Sequence, residues 1–124
     1  MRYWLVKHDK KSIESKPGWI WTEIVGSRRI PPNYRQVKNG DKFILYAYKT
    51  SEGMDSKPCR EIYGFYEVAR ELEEEHLAEG DHWTIKGNPL PGYKQGWVPI
   101  QGLTQFFDKK IHPAGSHRIE PRRI

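Results

Sequence analysis

Cysteine is nearly absent from this chain of 124 residues, in which Cys59 is the single thiol. An intramolecular disulfide is therefore excluded, and the composition is typical of a reducing compartment. Long apolar runs are absent as well. The sequence contains no stretch of about 18 apolar residues, and the apolar run from Tyr3 to Val6 is too short for the core of a signal peptide. We therefore expect a cytoplasmic protein that does not enter a membrane.

Recognisable metal-binding motifs are also missing. His112 and His117 are five positions apart, which is not the spacing of two ligands on one helix face. His76 and His82 lack a cysteine or carboxylate at the spacing of a zinc site. We therefore expect neither a bound metal nor another cofactor.

The composition fits one compact domain spanning residues 1–124, since 36% of the residues are hydrophobic and supply a core of ordinary size. The formal net charge of +5 favours a polyanionic partner. Charge is segregated along the chain. The segment 71–81 is mostly acidic, and its ordinary interpretation is a solvated face. Basic residues cluster at two places, namely Arg28, Arg29, Arg35 and Lys38, and then Arg118, Arg122 and Arg123.

The order of aromatic, β-branched and turn-forming residues predicts several short strands and few helices. Strands are expected over 3–6, 19–25, 42–48, 61–69 and 96–107. Short helical segments are expected over 12–16 and 32–37, and the acidic run 67–79 is a third candidate helix. Strands 42–48 and 61–69 should pair antiparallel. The fold class is therefore α+β, with a small curled mixed sheet or barrel flanked by short helices.

Two tryptophans lie where an apolar segment gives way to polar residues, Trp21 after Trp19-Ile20 and Trp83 after His82. An indole is a surface on which a nucleobase stacks, at roughly 1–3 kcal/mol per base. Two such rings facing across a gap would hold one base, whereas the alternative is that both are core residues. Trp19 should share a strand face with Trp21, so it would line the same slot or pack beneath it.

The residues in order resemble the EVE and YTH domains of the PUA-like superfamily, from residue 2 to about residue 107. Residues 2–7 are similar to the opening strand of these domains and the lysine that it carries. Their central hairpin is resembled by Phe43-Ile44-Leu45-Tyr46 together with residues 62–68. Residues 18–21 and His82-Trp83 resemble the segments that carry the two cage tryptophans. Residues 96–100 resemble the strand that follows.

This resemblance implies a β-barrel that accepts one extruded, usually methylated, base in an aromatic cage, from single-stranded RNA or DNA. Trp21 and Trp83 would be walls, with Leu90 or Tyr93 as a third wall. The family usually has serine after the strand lysine, followed by glutamate-proline or asparagine, where this chain has His8 and Asp9. Asp9 would accept a hydrogen bond from an exocyclic amine of the base, or else be a solvated loop carboxylate.

Phosphate contacts are predicted at one group of basic residues, Lys7, Lys49, Arg28, Arg29 and Arg118. Five other aromatics are interpreted as core or structural residues, Trp4, Trp97, Phe43, Phe65 and Phe106. The alternative function follows from the ASCH group of PUA-like relatives, which includes hydrolases and nucleases. Lys7 and Asp9 would then be a catalytic pair acting on RNA or modified nucleosides.

Overall fold

The computed structural model describes residues 2–24, 30, 33–93, 95–99 and 118–121. Within these residues the chain forms seven strands, one short α-helix and one 3₁₀ turn at Tyr34–Gln36. The elements in chain order are β1 (Tyr3–Asp9), α1 (Lys10–Ser15), β2 (Trp19–Glu23), β3 (Lys42–Lys49), β4 (Pro58–Leu77), β5 (Gly80–Pro89), β6 (Val98–Pro99) and β7 (Arg118–Pro121). No helix of this part of the chain has the length and apolar content needed to cross a membrane.

The strands form one mixed sheet in the order β2-β5-β4-β3-β1-β7, with β6 paired to β4. Strands β1 and β3 are parallel, and the other ladders are antiparallel. The predicted hairpin of 42–48 with 61–69 is therefore confirmed, and so is the α+β fold class with a curled mixed sheet and few helices. Short helical segments lie where they were expected, at α1 and at the 3₁₀ turn.

The prediction of a helix over 67–79 is wrong, because β4 continues through this segment to Leu77. Strand β5, which the sequence did not predict, supplies the partner for its backbone groups. Opposite charges also meet across the two strands: the Lys86 ammonium lies 3.1 Å from the Glu75 carboxylate. A ladder with a neighbouring strand is a tertiary interaction, so it outweighs the local preference of a glutamate-rich segment for helix.

Apolar side chains fill both faces of the central strands. The main core contains the buried rings of Trp4, Phe43 and Tyr66, and the last two stack with centroids 5.2 Å apart. A smaller cluster lies on the other face around Leu5 and Ile44, with Phe65 packed against it. Trp97 is half-buried against the main core. These positions agree with the core interpretation, while Phe106 lies outside the described residues.

A buried carboxylate joins β1 to the turn before β3. Asp41 is 4% exposed and accepts hydrogen bonds from the backbone N–H of Arg2, the indole of Trp4 and the backbone N–H of Lys38, all at 2.9–3.0 Å. Burial raises the pKa of Asp41, but these donors lower it by more, and the pKa lies below its ordinary value. Asp41 therefore fixes the beginning of β1 as an ionised acceptor.

Candidate functional site

The indole of Trp21 is the centre of a ring cluster at the edge of the sheet. Trp21 lies on β2, opposite Thr84 of β5, and its side chain is half-buried. The imidazole of His8 stacks with this indole at a centroid distance of 5.5 Å and an angle of 28°. The imidazole of His82 lies 5.4 Å away at 57°. Three rings from β1, β2 and β5 therefore meet, and part of the indole remains accessible.

This cluster lies at the seam where the sheet curls back on itself. No ladder joins β1 to β2 in the described part of the chain. His8 spans the seam: its Nε2 lies 3.4 Å from the carbonyl oxygen of Trp21, so a protonated Nε2 donates to that oxygen. A sharp turn precedes β2 at Gly18, whose φ of +85° favours glycine. A Cβ at Gly18 would also lie 2.9 Å from the carbonyl oxygen of Gly87.

Asp9 closes β1 and caps α1. Its Oδ2 accepts the backbone N–H of Ser12 at 3.0 Å, which is the interaction of an N-cap residue. Its Oδ1 lies 3.8 Å from Nδ1 of His8 and accepts no hydrogen bond from the described residues. Burial raises the pKa of Asp9, but His8 and the side-chain and backbone donors of Ser12 lower it by more. Asp9 is therefore a buried, ionised carboxylate beside the ring cluster, and not a solvated one.

Trp83 points away from Trp21. In the β2–β5 ladder, Trp21 is opposite Thr84 and Trp83 is opposite Thr22. Adjacent ladder positions project to opposite faces of a sheet, so the two indoles lie on different faces. Trp83 packs against the main core, which includes Ile20 and Ile85. The two tryptophans therefore do not face each other across a gap, which differs from the arrangement expected from the sequence.

Trp19 shares its face of β2 with Trp21 and lies between lysines. The Lys86 ammonium is 4.1 Å from the centroid of the Trp19 ring. The Lys16 ammonium is 5.7 Å from Trp19 and 5.1 Å from Trp21. Each lysine has an acidic partner: Lys16 lies 3.0 Å from Glu79, and Lys86 lies 3.1 Å from Glu75. The patch is thus two half-buried indoles, each approached by a lysine ammonium that has an acidic partner.

Leu90 and Tyr93 line a different cavity from the ring cluster. They lie with Phe65, Tyr3 and Lys42 around a cleft of about 300 Å³. Leu90 directly follows β5 and is six residues beyond Thr84, which corresponds to roughly 20 Å at about 3.3 Å per strand residue. The structure therefore does not bring either candidate third wall to Trp21.

The predicted phosphate-binding residues do not form one surface among the described residues. Lys7 is completely buried, so it is not the surface cation that the sequence suggested. Lys49 lies 2.9 Å from Glu52. Arg28 and Arg29 lie outside the described residues, and Arg118 pairs through its backbone with Lys7 in the β1–β7 ladder.

The two residues of the alternative catalytic pair are buried. Lys7 and Asp9 are both at most 1% exposed, which leaves little surface for a substrate. The Cys59 thiol lies 3.6 Å from the carbonyl oxygen of Ala47, and burial is the main cause that raises its pKa. No group of three or more metal-binding side chains occurs in the described ranges.

Sequence reasoning did not assign four side chains to this site: His8 and His82 of the ring cluster, and Lys16 and Lys86 beside the tryptophans. The sequence pointed to Trp83 in the pair His82-Trp83. Side chains alternate between the two faces of a strand, however, and it is His82 that shares a face with Trp21. This shared face follows from the β2–β5 register, in which His82 is opposite Glu23. The only signal in the sequence was the alternation in Trp19-Ile20-Trp21 and in His82-Trp83-Thr84-Ile85-Lys86.

Comparison with known proteins agrees with this architecture. The crystal structure of human THYN1 protein in complex with DNA containing 5-methylcytosine matches with a TM-score of 0.51 and 12% identity, over 99% of this chain and 91% of that chain. A crystal structure of a protein from Pseudomonas putida matches with a TM-score of 0.49 and 17% identity, over 96% and 90% of the two chains. No curated protein is a significant match. Residues 2–114 match the family model of the EVE domain, and the chain therefore belongs to the EVE domain family.

Proposed function

We propose that this chain is a nucleic-acid-binding module that accepts one extruded, methylated base of a single strand against the indole of Trp21. Membership of the EVE family and the likeness to human THYN1 support this proposal, since THYN1 is described in complex with 5-methylcytosine DNA. The observation that carries it is the half-buried Trp21 ring between His8 and His82 at the open seam of the sheet.

The ring cluster suits a planar ligand. A base stacked on an aromatic side chain gains roughly 1–3 kcal/mol, whichever base it is. The two imidazoles are buried beside the indole, and each has a ring nitrogen at a backbone carbonyl oxygen, so they hold the indole in position for stacking. Extrusion from a duplex costs a few kcal/mol, so a single strand, a loop or a damaged site is the favoured target.

A methyl group adds selectivity in two ways. Burial of one methyl contributes about 0.8 kcal/mol, which corresponds to about a fourfold preference. In a dry slot, an amine hydrogen that finds no acceptor costs roughly 1–3 kcal/mol more, and methylation removes that hydrogen from an exocyclic amine. For 5-methylcytosine only the burial contribution applies.

Asp9 is the proposed acceptor for the base edge. Its Oδ1 lies beside His8 and accepts no hydrogen bond from the described residues, while its lowered pKa keeps it ionised. An ionised carboxylate accepts only, so it favours adenine- or cytosine-type bases with an available N–H. Asp9 is 1% exposed, so the base edge reaches Oδ1 only if the residues around this carboxylate move.

The test is a titration of short single strands, DNA and RNA, that differ only in a central cytosine, 5-methylcytosine, adenine or N6-methyladenine. Trp21→Ala should weaken the binding of the preferred strand by roughly 5- to 150-fold, equivalent to about 1–3 kcal/mol. Trp83→Ala is the matched control, because it removes the same ring from the opposite face. Its affinity should equal that of the wild type once circular dichroism shows both variants folded. Equal losses in the two variants would refute the assignment of the site to Trp21.

A further inference from the structure

The indoles of Trp19 and Trp21 form a ladder of two platforms on one face of β2. They are separated by one residue, so they lie about 6.6 Å apart along the strand. Both are half-buried, and both are approached by the same ammonium group, that of Lys16. The spacing of the two rings is about twice the 3.4 Å that separates neighbouring bases of one strand in a duplex.

The Lys16 ammonium lies next to the place where a phosphate linking two nucleotides would be. Its ammonium is 5.7 Å from the Trp19 ring and 5.1 Å from the Trp21 ring, which places a positive charge close to both platforms. Two nucleotides stacked on the two rings would be joined by one phosphate near this point. A cation held between two stacking rings is complementary to a dinucleotide, in which one anion lies between two bases.

The acidic partners of Lys16 and Lys86 indicate which of the two lysines can leave its carboxylate for a phosphate. Glu75 holds Lys86 and also accepts the Thr84 hydroxyl at 3.1 Å, so it is fixed on the face of the sheet. Glu79 pairs with Lys16 at the surface, where the side chains of Glu79 and Lys16 are 47% and 22% exposed. An exposed ion pair contributes little to stability and is weakened by salt, so a phosphate can take the place of Glu79 on Lys16.

We propose that Trp19 holds the base next to the one on Trp21, and that Lys16 leaves Glu79 to pair with the phosphate linking the two nucleotides. This inference rests on the proposed function, because it assumes a base at Trp21. The ring spacing requires the two bases to be unstacked from each other. The site therefore takes an opened dinucleotide step of a single strand, and a duplex step does not fit it.

The test compares a mononucleotide with a dinucleotide that carries the same base. The mononucleotide probe is 5-methyl-dCMP. The dinucleotide probe is 5-methyldeoxycytidine followed on its 3′ side by deoxycytidine. Each probe is also tested in its ribose form. Wild type should bind the dinucleotide at least 5-fold more tightly than the mononucleotide. Trp19→Ala should remove that gain, because one stacked base is lost, and should leave mononucleotide affinity unchanged. Trp19→Leu, which keeps the apolar contact, should give the same result if the alanine variant unfolds.

Charge variants test the role of Lys16. Lys16→Gln should weaken the binding of the dinucleotide. It should also reduce the steepness of the plot of log affinity against log salt by about 0.7. Glu79→Gln should strengthen dinucleotide binding, since it releases Lys16. Lys38→Gln is the matched control, because Lys38 is also a lysine in an exposed ion pair, with Glu71 at 3.8 Å. It should change neither the affinity nor the slope.

Three results separate this inference from the proposed function. If the mononucleotide binds and the dinucleotide binds no more tightly, the second platform is refuted and the proposed function stands. If Trp19→Ala weakens both probes equally, Trp19 belongs to the first base site, and the two-nucleotide arrangement is wrong. If neither probe binds the wild type, both proposals are refuted.

Discussion

Replacement of Asp41 by asparagine should destabilise the fold, because three N–H groups depend on this carboxylate. Oδ2 accepts from the Trp4 indole and from Lys38, and Oδ1 accepts from Arg2. Asparagine has one acceptor oxygen, so it can retain the two bonds at the Oδ2 position, while its NH₂ group then faces the N–H of Arg2. The N–H of Arg2 then loses its acceptor, and the charge that all three donors share is lost. We expect a decrease in the free energy of unfolding of about 2 kcal/mol, which is large against the roughly 5–15 kcal/mol of an ordinary domain.

The pH dependence of this decrease tests the charge. The pKa of Asp41 is lower in the folded state than its ordinary value of about 3.9. Its ionised form therefore stabilises the fold fully above pH 4 to 5, and the contribution is lost as pH falls through the folded pKa. Asparagine does not titrate. The difference between wild type and Asp41→Asn should accordingly be constant near neutral pH and shrink below about pH 4.

Urea unfolding followed by circular dichroism, at pH 7 and at pH 3, measures both quantities. Asp55→Asn is the matched control, since Asp55 is exposed in the loop between β3 and β4. It should change the free energy of unfolding by less than about 0.5 kcal/mol. If Asp41→Asn were as stable as wild type at pH 7, or if its deficit were the same at pH 3, the reasoning from a charged buried acceptor would be refuted.

Three further changes give independent checks. Gly87→Ala should cost about 1–3 kcal/mol in the free energy of unfolding, because the added Cβ would lie 2.5 Å from Cε1 and 2.7 Å from Cζ of Phe43; wild-type stability in a urea titration would contradict the close approach. Iodoacetamide should alkylate Cys59 more slowly than a free thiol at pH 7 and faster as pH rises, since burial is the main cause that raises its pKa; a mass-spectrometric time course showing fast reaction at pH 7 would exclude this. Asp9→Ala should lower the free energy of unfolding by roughly 1 kcal/mol through loss of the α1 cap, and in strand titrations it should alter the preference among bases more than the affinity; an equal loss for every base would leave Asp9 with the capping role alone.

The fold could be predicted largely from local pattern, where that pattern is strong. The aromatic and β-branched runs of β3 and the first half of β4 indicated a hairpin, and it is present. The acidic second half of β4 was misassigned, because its strand conformation depends on β5. The second half of β4 and its partner β5 have few apolar residues at every second position, which is the pattern that marks a strand. Their strand conformation therefore becomes evident only from the register in which they pair.

The candidate site was predictable only in part, for the same reason. Trp21 was identified from its place at the end of an apolar run. Trp83 was chosen with it, yet the register places Thr22 opposite Trp83 and turns that ring to the other face. Side-chain parity between two strands cannot be derived from either strand alone. The contact of His8 with Trp21 also depends on the curl of the sheet, which brings the first strand to the edge at β2.

The β1–β7 ladder has a kinetic consequence. Lys7 pairs with Arg118, which lies 111 positions further along the chain, and β1 has its other neighbour in β3. One edge of β1 is therefore covered only when a segment 111 residues further along the chain has been made. Such distant pairing has high contact order, and domains rich in it fold in milliseconds to seconds rather than microseconds. Until then β1 has an unpaired backbone edge on an apolar strand, and such an edge promotes aggregation.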